Sequence, residues 1–123
     1  MNILVIDDCK YHIEALGGIL LRRGHAVLAA RDGEHGLDVL ERNAESINFI
    51  ITDSQMPKMD GYTFSRKAKL NFPNIPIVMH TASILVTKND DLIAVVDKGE
   101  YEQLIKLIND YDNDWPIDRS CDA

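Results

Sequence analysis

Cysteine is scarce in this chain: two residues in 123, Cys9 near the start and Cys121 near the end. That spacing supports neither a disulfide scaffold nor a thiolate metal site, so both are expected to be free thiols. Long apolar runs are also missing. None approaches the roughly 20 residues that a membrane helix needs, and the opening aliphatic run meets Asp7 and Asp8 before a signal-peptide core could form. No membrane association and a cytoplasmic location are therefore expected. Positive charge is the third shortage. Thirteen Lys and Arg stand against twenty Asp and Glu, for a net charge of -7. Phosphate backbones and anionic lipid would be repelled, which argues against direct nucleic-acid binding. Tyr62, Phe64 and Phe72 form no basic-aromatic stacking surface and fit a helix core face instead. Internal repeats, low-complexity segments and an interdomain linker are absent as well.

What is present is a core. With 46% hydrophobic residues the chain can fold as one domain. Short aliphatic runs alternate with amphipathic stretches, the pattern of a parallel sheet covered by helices on both faces. Strands are expected over residues 3–6, 26–30, 47–52, 75–80 and 92–96. Helices are expected over residues 11–23, stopped by Gly24, over 34–43, over 61–72 before Pro73, and over 100–111. Residues 83–91 leave room for little more than two helical turns, so the fourth crossover is expected to be short or irregular. The fold class is thus α/β, a doubly wound five-stranded parallel sheet. Residues 1–111 form the domain, and 112–123 are expected to be a flexible tail carrying Trp115.

In such a sheet, ligands gather at the carboxyl ends of the strands. Asp7 and Asp8 leave the first strand, Asp53 the third and Thr81 the fourth, while Lys98 follows the fifth. Carboxylates drawn together repel one another, and a hard cation with oxygen ligands, Mg²⁺ or Mn²⁺, relieves that repulsion. A carboxylate can also attack phosphorus, provided that metal and cationic groups stabilise the charge on the transferring oxygens. Lys98 would act as a point charge toward phosphate and Thr81 would donate one hydrogen bond. Lys88 is a rival for the lysine role, but it follows Thr81 too closely to leave room for a crossover helix. His80 has no partner histidine at ligand spacing, and local packing is expected of it.

Taken singly, each of these residues has a plain structural explanation. Adjacent acids after a strand suit a helix N-cap, and Asp60-Gly61 suits a turn. Taken together, ILVIDD at 3–8, IITDSQMPKMDG at 50–61, IPIVMHTA at 75–82 and Lys98 resemble the receiver domains of two-component response regulators, over the chain to about residue 111. The resemblance implies a flavodoxin-like strand order 2-1-3-4-5 with five helices. It implies Asp53 as phosphoacceptor, Asp8 as direct metal ligand, Asp7 acting on the metal through water, and Gln55 offering its backbone carbonyl to the metal. Thr81 matches the switch hydroxyl and Lys98 the phosphate-pairing lysine. The implied partners are a histidine kinase or histidine phosphotransfer protein that donates the phosphoryl group, and a downstream protein that the residues do not identify. The implied role is that of a signalling switch, not an enzyme acting on other molecules.

The chain also departs from that family. Gly99 follows Lys98 where relatives carry proline, and Val95 stands where many carry a switching aromatic residue. These departures keep a second reading in view, a degenerate interaction module that works without phosphorylation. A flavodoxin-like electron carrier fits less well, because Asp7-Asp8-Cys9 replaces the Ser/Thr/Gly-rich cradle that FMN wants. A phosphatase with its aspartyl nucleophile on the first strand is disfavoured by the second and third motifs.

Overall fold

The computed structural model describes residues 1–113. Trp115, Cys121 and nearly all of the expected tail lie outside the described residues. The elements are β1 (Asn2–Ile6), α1 (Lys10–Arg22), β2 (Ala26–Ala30), α2 (Gly33–Asn43), β3 (Phe49–Thr52), α3 (Gly61–Asn71), β4 (Ile77–Thr81), β5 (Ala94–Asp97) and α4 (Tyr101–Asn113). The five strands are parallel in the order β2-β1-β3-β4-β5, as expected.

Alternating side chains along each strand feed two separate cores. Ile3, Val5, Phe49, Ile51, Val78 and Val96 pack with Leu16 and Leu20 of α1 and with Leu104, Ile105 and Ile108 of α4. Leu4, Ile6, Ile50, Ile77 and Met79 point the other way, onto Leu40 of α2 and onto Phe64 and Ala68 of α3. Each fully buried aliphatic or aromatic side chain contributes on the order of 1.5–3 kcal/mol. Both faces are covered, which is why the strands read as continuous apolar runs.

Strand boundaries shift where local chemistry intervenes. Pro76 has no N–H to give to the ladder, so β4 begins at Ile77 and runs on to Thr81. Leu92 belongs to a turn, its N–H bonded to the Asn89 carbonyl, so β5 begins later than the aliphatic run does. The aspartates Asp32 and Asp60 cap α2 and α3, accepting from the His35 and Thr63 amides.

Between β4 and β5, residues 82–93 form no helix. The family pattern of five helices becomes four among the described residues. Twelve residues suffice for a parallel crossover, but Ile84 and Leu85 face solvent, 92% and 86% exposed. No inward apolar stripe is left to hold a helix against the sheet. The loop is fastened elsewhere: the Tyr62 hydroxyl donates to the Thr87 carbonyl at 2.6 Å and accepts from the Thr87 amide at 2.8 Å.

Candidate functional site

The register of the sheet sets the site. Ile6 pairs with Thr52, Thr52 with Met79 and Thr81 with Asp97, so the residues that follow these strands emerge along one edge. A cavity of about 230 Å³ opens there. Asp7, Asp8, Asp53, Gln55, Thr81 and Lys98 all line it, with Cys9, His12, Ser54, Ala82 and Ser83 between them. Lys88 does not line it and is exposed on the loop.

The phosphoacceptor candidate is held tightly. The Asp53 amide donates to the Ile6 carbonyl at 2.8 Å, which ties β3 to β1 at the rim. Behind it, Gly61 opens α3 and donates its amide to the Ser54 carbonyl at 2.9 Å. A Cβ on Gly61 would lie 2.2 Å from the Asp53 carbonyl oxygen, so only glycine lets α3 start this close to the site.

One oxygen from each of Asp7, Asp8 and Asp53 falls within 4.8 Å of the others. Asp7 is buried, Asp53 half-buried and Asp8 exposed. Burial pushes the Asp53 carboxyl above its ordinary value; the Lys98 ammonium opposes that shift, while the neighbouring charge of Asp7 adds to it. Lys98 sits between the acids, its Nζ 2.5 Å from Asp7 Oδ2 and 3.3 Å from Asp53 Oδ2. One cation among three acids leaves the cluster with excess negative charge. An oxygen-only donor set of this kind, mostly buried but opening onto the cavity through Asp8, fits a hard divalent cation that keeps some of its waters.

Thr81, the last residue of β4, is 1% exposed. Its hydroxyl lies 2.6 Å from Ser54 Oγ and accepts from the Ser83 amide at 3.0 Å. The Thr81 backbone carbonyl accepts from the Lys98 amide at 2.8 Å, which fixes the start of the turn that carries the lysine. Gly99 follows in the left-handed region, φ 95°, a conformation closed to proline.

Three participants escaped the sequence reading. Ser54 is a second buried hydroxyl beside Thr81, and its only signal was its place next to Asp53 at a strand end. His12 lies in the first turn of α1, and its Nδ1 stands 2.9 Å from Lys98 Nζ. Tyr62 packs against the second core as expected, yet its hydroxyl also anchors the loop. His80 is buried beside the Tyr101 ring, and its Nε2 has no hydrogen-bond partner among the described residues. Burial above all, with the Lys98 charge, lowers its pKa to about 4.

Comparison with known proteins places this geometry in a family. The profile of the response regulator receiver domain matches residues 3–112. The chain belongs to that family. Among characterised relatives, the response regulator protein FleR of Pseudomonas aeruginosa is 32% identical over 105 residues, 85% of this chain and 21% of FleR. The sensor histidine kinase CheAY of Helicobacter pylori is 33% identical over 106 residues, 85% of this chain and 13% of that protein. The chain therefore spans about a fifth or less of the length of these relatives. A receiver domain from Clostridium thermocellum superposes with a TM-score of 0.81 at 29% identity, covering 91% of this chain and 94% of that one. The response regulator TrrA of Thermotoga maritima, solved in complex with Mg²⁺ and BeF, shares the fold with a TM-score of 0.83 at 21% identity, covering 89% and 97%.

Proposed function

We propose that this receiver domain is a phosphorylation-dependent switch of a two-component system, accepting a phosphoryl group on Asp53. The observation that carries the reading is the convergence of Asp7, Asp8 and Asp53 with Lys98 and Thr81 in one cavity at the carboxyl edge of the sheet.

In this reading an Asp53 carboxylate oxygen attacks the phosphorus of a phosphohistidine carried by a histidine kinase or phosphotransfer protein. The P–N bond breaks and the imidazole nitrogen takes up a proton as it leaves. Asp7, Asp8 and Asp53, with the Gln55 carbonyl, would hold Mg²⁺ or Mn²⁺. That cation neutralises charge on the transferring oxygens when bound. Lys98 moves from its pairing with Asp7 and Asp53 toward the new phosphoryl oxygens, and Thr81 donates to one of them. Hydrolysis of the acyl phosphate resets the switch. No other molecule is turned over, so the protein signals through protein contacts and is not an enzyme in the ordinary sense. It works in the cytoplasm, with residues 1–111 as the receiver domain.

Incubation with acetyl phosphate and Mg²⁺, read by intact mass, tests the proposal. One phosphoryl adduct is expected, lost on chelation of the metal and in Asp53→Asn. An unmodified mass under all conditions would favour the phosphorylation-independent module, for which the helix-less loop at residues 82–93 is the supporting observation.

A further inference from the structure

We infer that Ser54 is a positioning residue that aims the Thr81 hydroxyl at the phosphoryl group. The inference rests on the reading that Asp53 is phosphorylated and that Thr81 contacts the phosphate. A hydroxyl has one hydrogen to donate and two lone pairs to accept with. One lone pair of Thr81 takes the Ser83 amide at 3.0 Å. The Ser54 hydroxyl lies 2.6 Å away on another side, and Ser54 is itself 4% exposed.

The direction of that bond follows from the single hydrogen of Thr81. Once Thr81 gives that hydrogen to a phosphoryl oxygen, the 2.6 Å contact persists only with Ser54 as its donor. With Ser54 donating, both Thr81 lone pairs are occupied. Its hydrogen is then left for the cavity that Asp53 also lines. Ser54 donates to Thr81, and Thr81 donates to the phosphoryl oxygen. The two hydroxyls already stand 2.6 Å apart without a phosphate, so little rearrangement is needed when one arrives. Each bond also polarises the next.

The test is titration of the full chain with beryllofluoride, a stable phosphoryl mimic, in saturating Mg²⁺. Ser54→Ala is expected to weaken binding by about three- to ten-fold, the range of one hydrogen bond. Thr81→Ala is expected to weaken it at least as much. The double variant should bind like Thr81→Ala alone, because Ser54 acts only through Thr81. Ser54→Thr, which keeps the hydroxyl, should restore binding. The Ser83 amide resonance, bonded to Thr81 Oγ1, should shift in Ser54→Ala before any ligand is added. Unchanged or tighter binding by Ser54→Ala, with Thr81→Ala impaired, would overturn the inference alone. Additive losses in the double variant would do the same. Unchanged binding by Thr81→Ala would overturn both the inference and the role given to Thr81.

Discussion

At the scale of single residues, the two lysines separate most cleanly. Lys98 lies between Asp7 and Asp53 with its side chain 12% exposed, whereas Lys88 faces solvent on the loop away from the cavity. Lys98→Ala should slow phosphorylation by acetyl phosphate at least ten-fold, the order expected when a charge-assisted contact of roughly 1.5–3 kcal/mol is removed. Lys88→Ala should leave the rate within two-fold, since exposed charges contribute little. Stopped samples analysed by mass spectrometry give both rates, and a damaging Lys88→Ala would contradict the placement of the site. His80 makes a second residue-scale expectation. Its pKa is lowered from 6.5 to about 4, so it favours the folded state above pH 6.5, and that advantage is lost as pH falls toward 4. The loss is at most about 3 kcal/mol. Asp53, whose pKa is raised, works the other way, since the folded state takes up its proton more readily as the solution is acidified. Urea melts of the metal-free protein between pH 7 and 4 should show falling stability, and His80→Leu should flatten that slope. A slope unchanged in His80→Leu would assign the acid sensitivity to other groups.

At the scale of elements, the start of α3 and the loop after β4 govern the site. Because a Cβ at Gly61 would strike the Asp53 carbonyl oxygen at 2.2 Å and Met79 Sδ at 2.8 Å, Gly61→Ala can be accommodated only by moving β3 or α3. It should cost about 1–3 kcal/mol of stability, measurable as a lower Tm, and should slow labelling at Asp53. An unperturbed Tm would show that the helix shifts freely. The loop depends on one side chain. Tyr62→Phe removes both hydrogen bonds to Thr87, an expected loss of about 1 kcal/mol. Amide exchange should quicken at Thr87 and its neighbours while β4 and β5 stay protected. Uniform acceleration across the sheet would mean that the tether stabilises the fold and not only the loop.

At the scale of the whole molecule, the sheet and its acid-lined edge were legible because both are written in local patterns. Continuous apolar runs betray strands buried on both faces, as at Phe49–Thr52, and acids placed just after such runs must share an edge once the strands are parallel. Asp7, Asp8, Asp53, Thr81 and Lys98 were legible for that reason, as was the irregularity of the fourth crossover. The full absence of a helix there was not, since it depends on Ile84 and Leu85 finding no partner on the sheet. Nor were Ser54, His12 and the Tyr62 tether, whose partners lie 27, 86 and 25 residues away in the chain. Such pairings arise from tertiary proximity, and no spacing rule announces them.

The central claim is that Asp53 accepts the phosphoryl group, and locating the modified residue tests it most directly. Protein labelled with acetyl phosphate and Mg²⁺ is treated with borohydride, which reduces an acyl phosphate to an alcohol, then digested and sequenced by mass spectrometry. The account expects homoserine in place of aspartate at position 53 and unmodified Asp7 and Asp8. Reduction at either of those two, or a borohydride-resistant phosphate on a hydroxyl or imidazole, would contradict it.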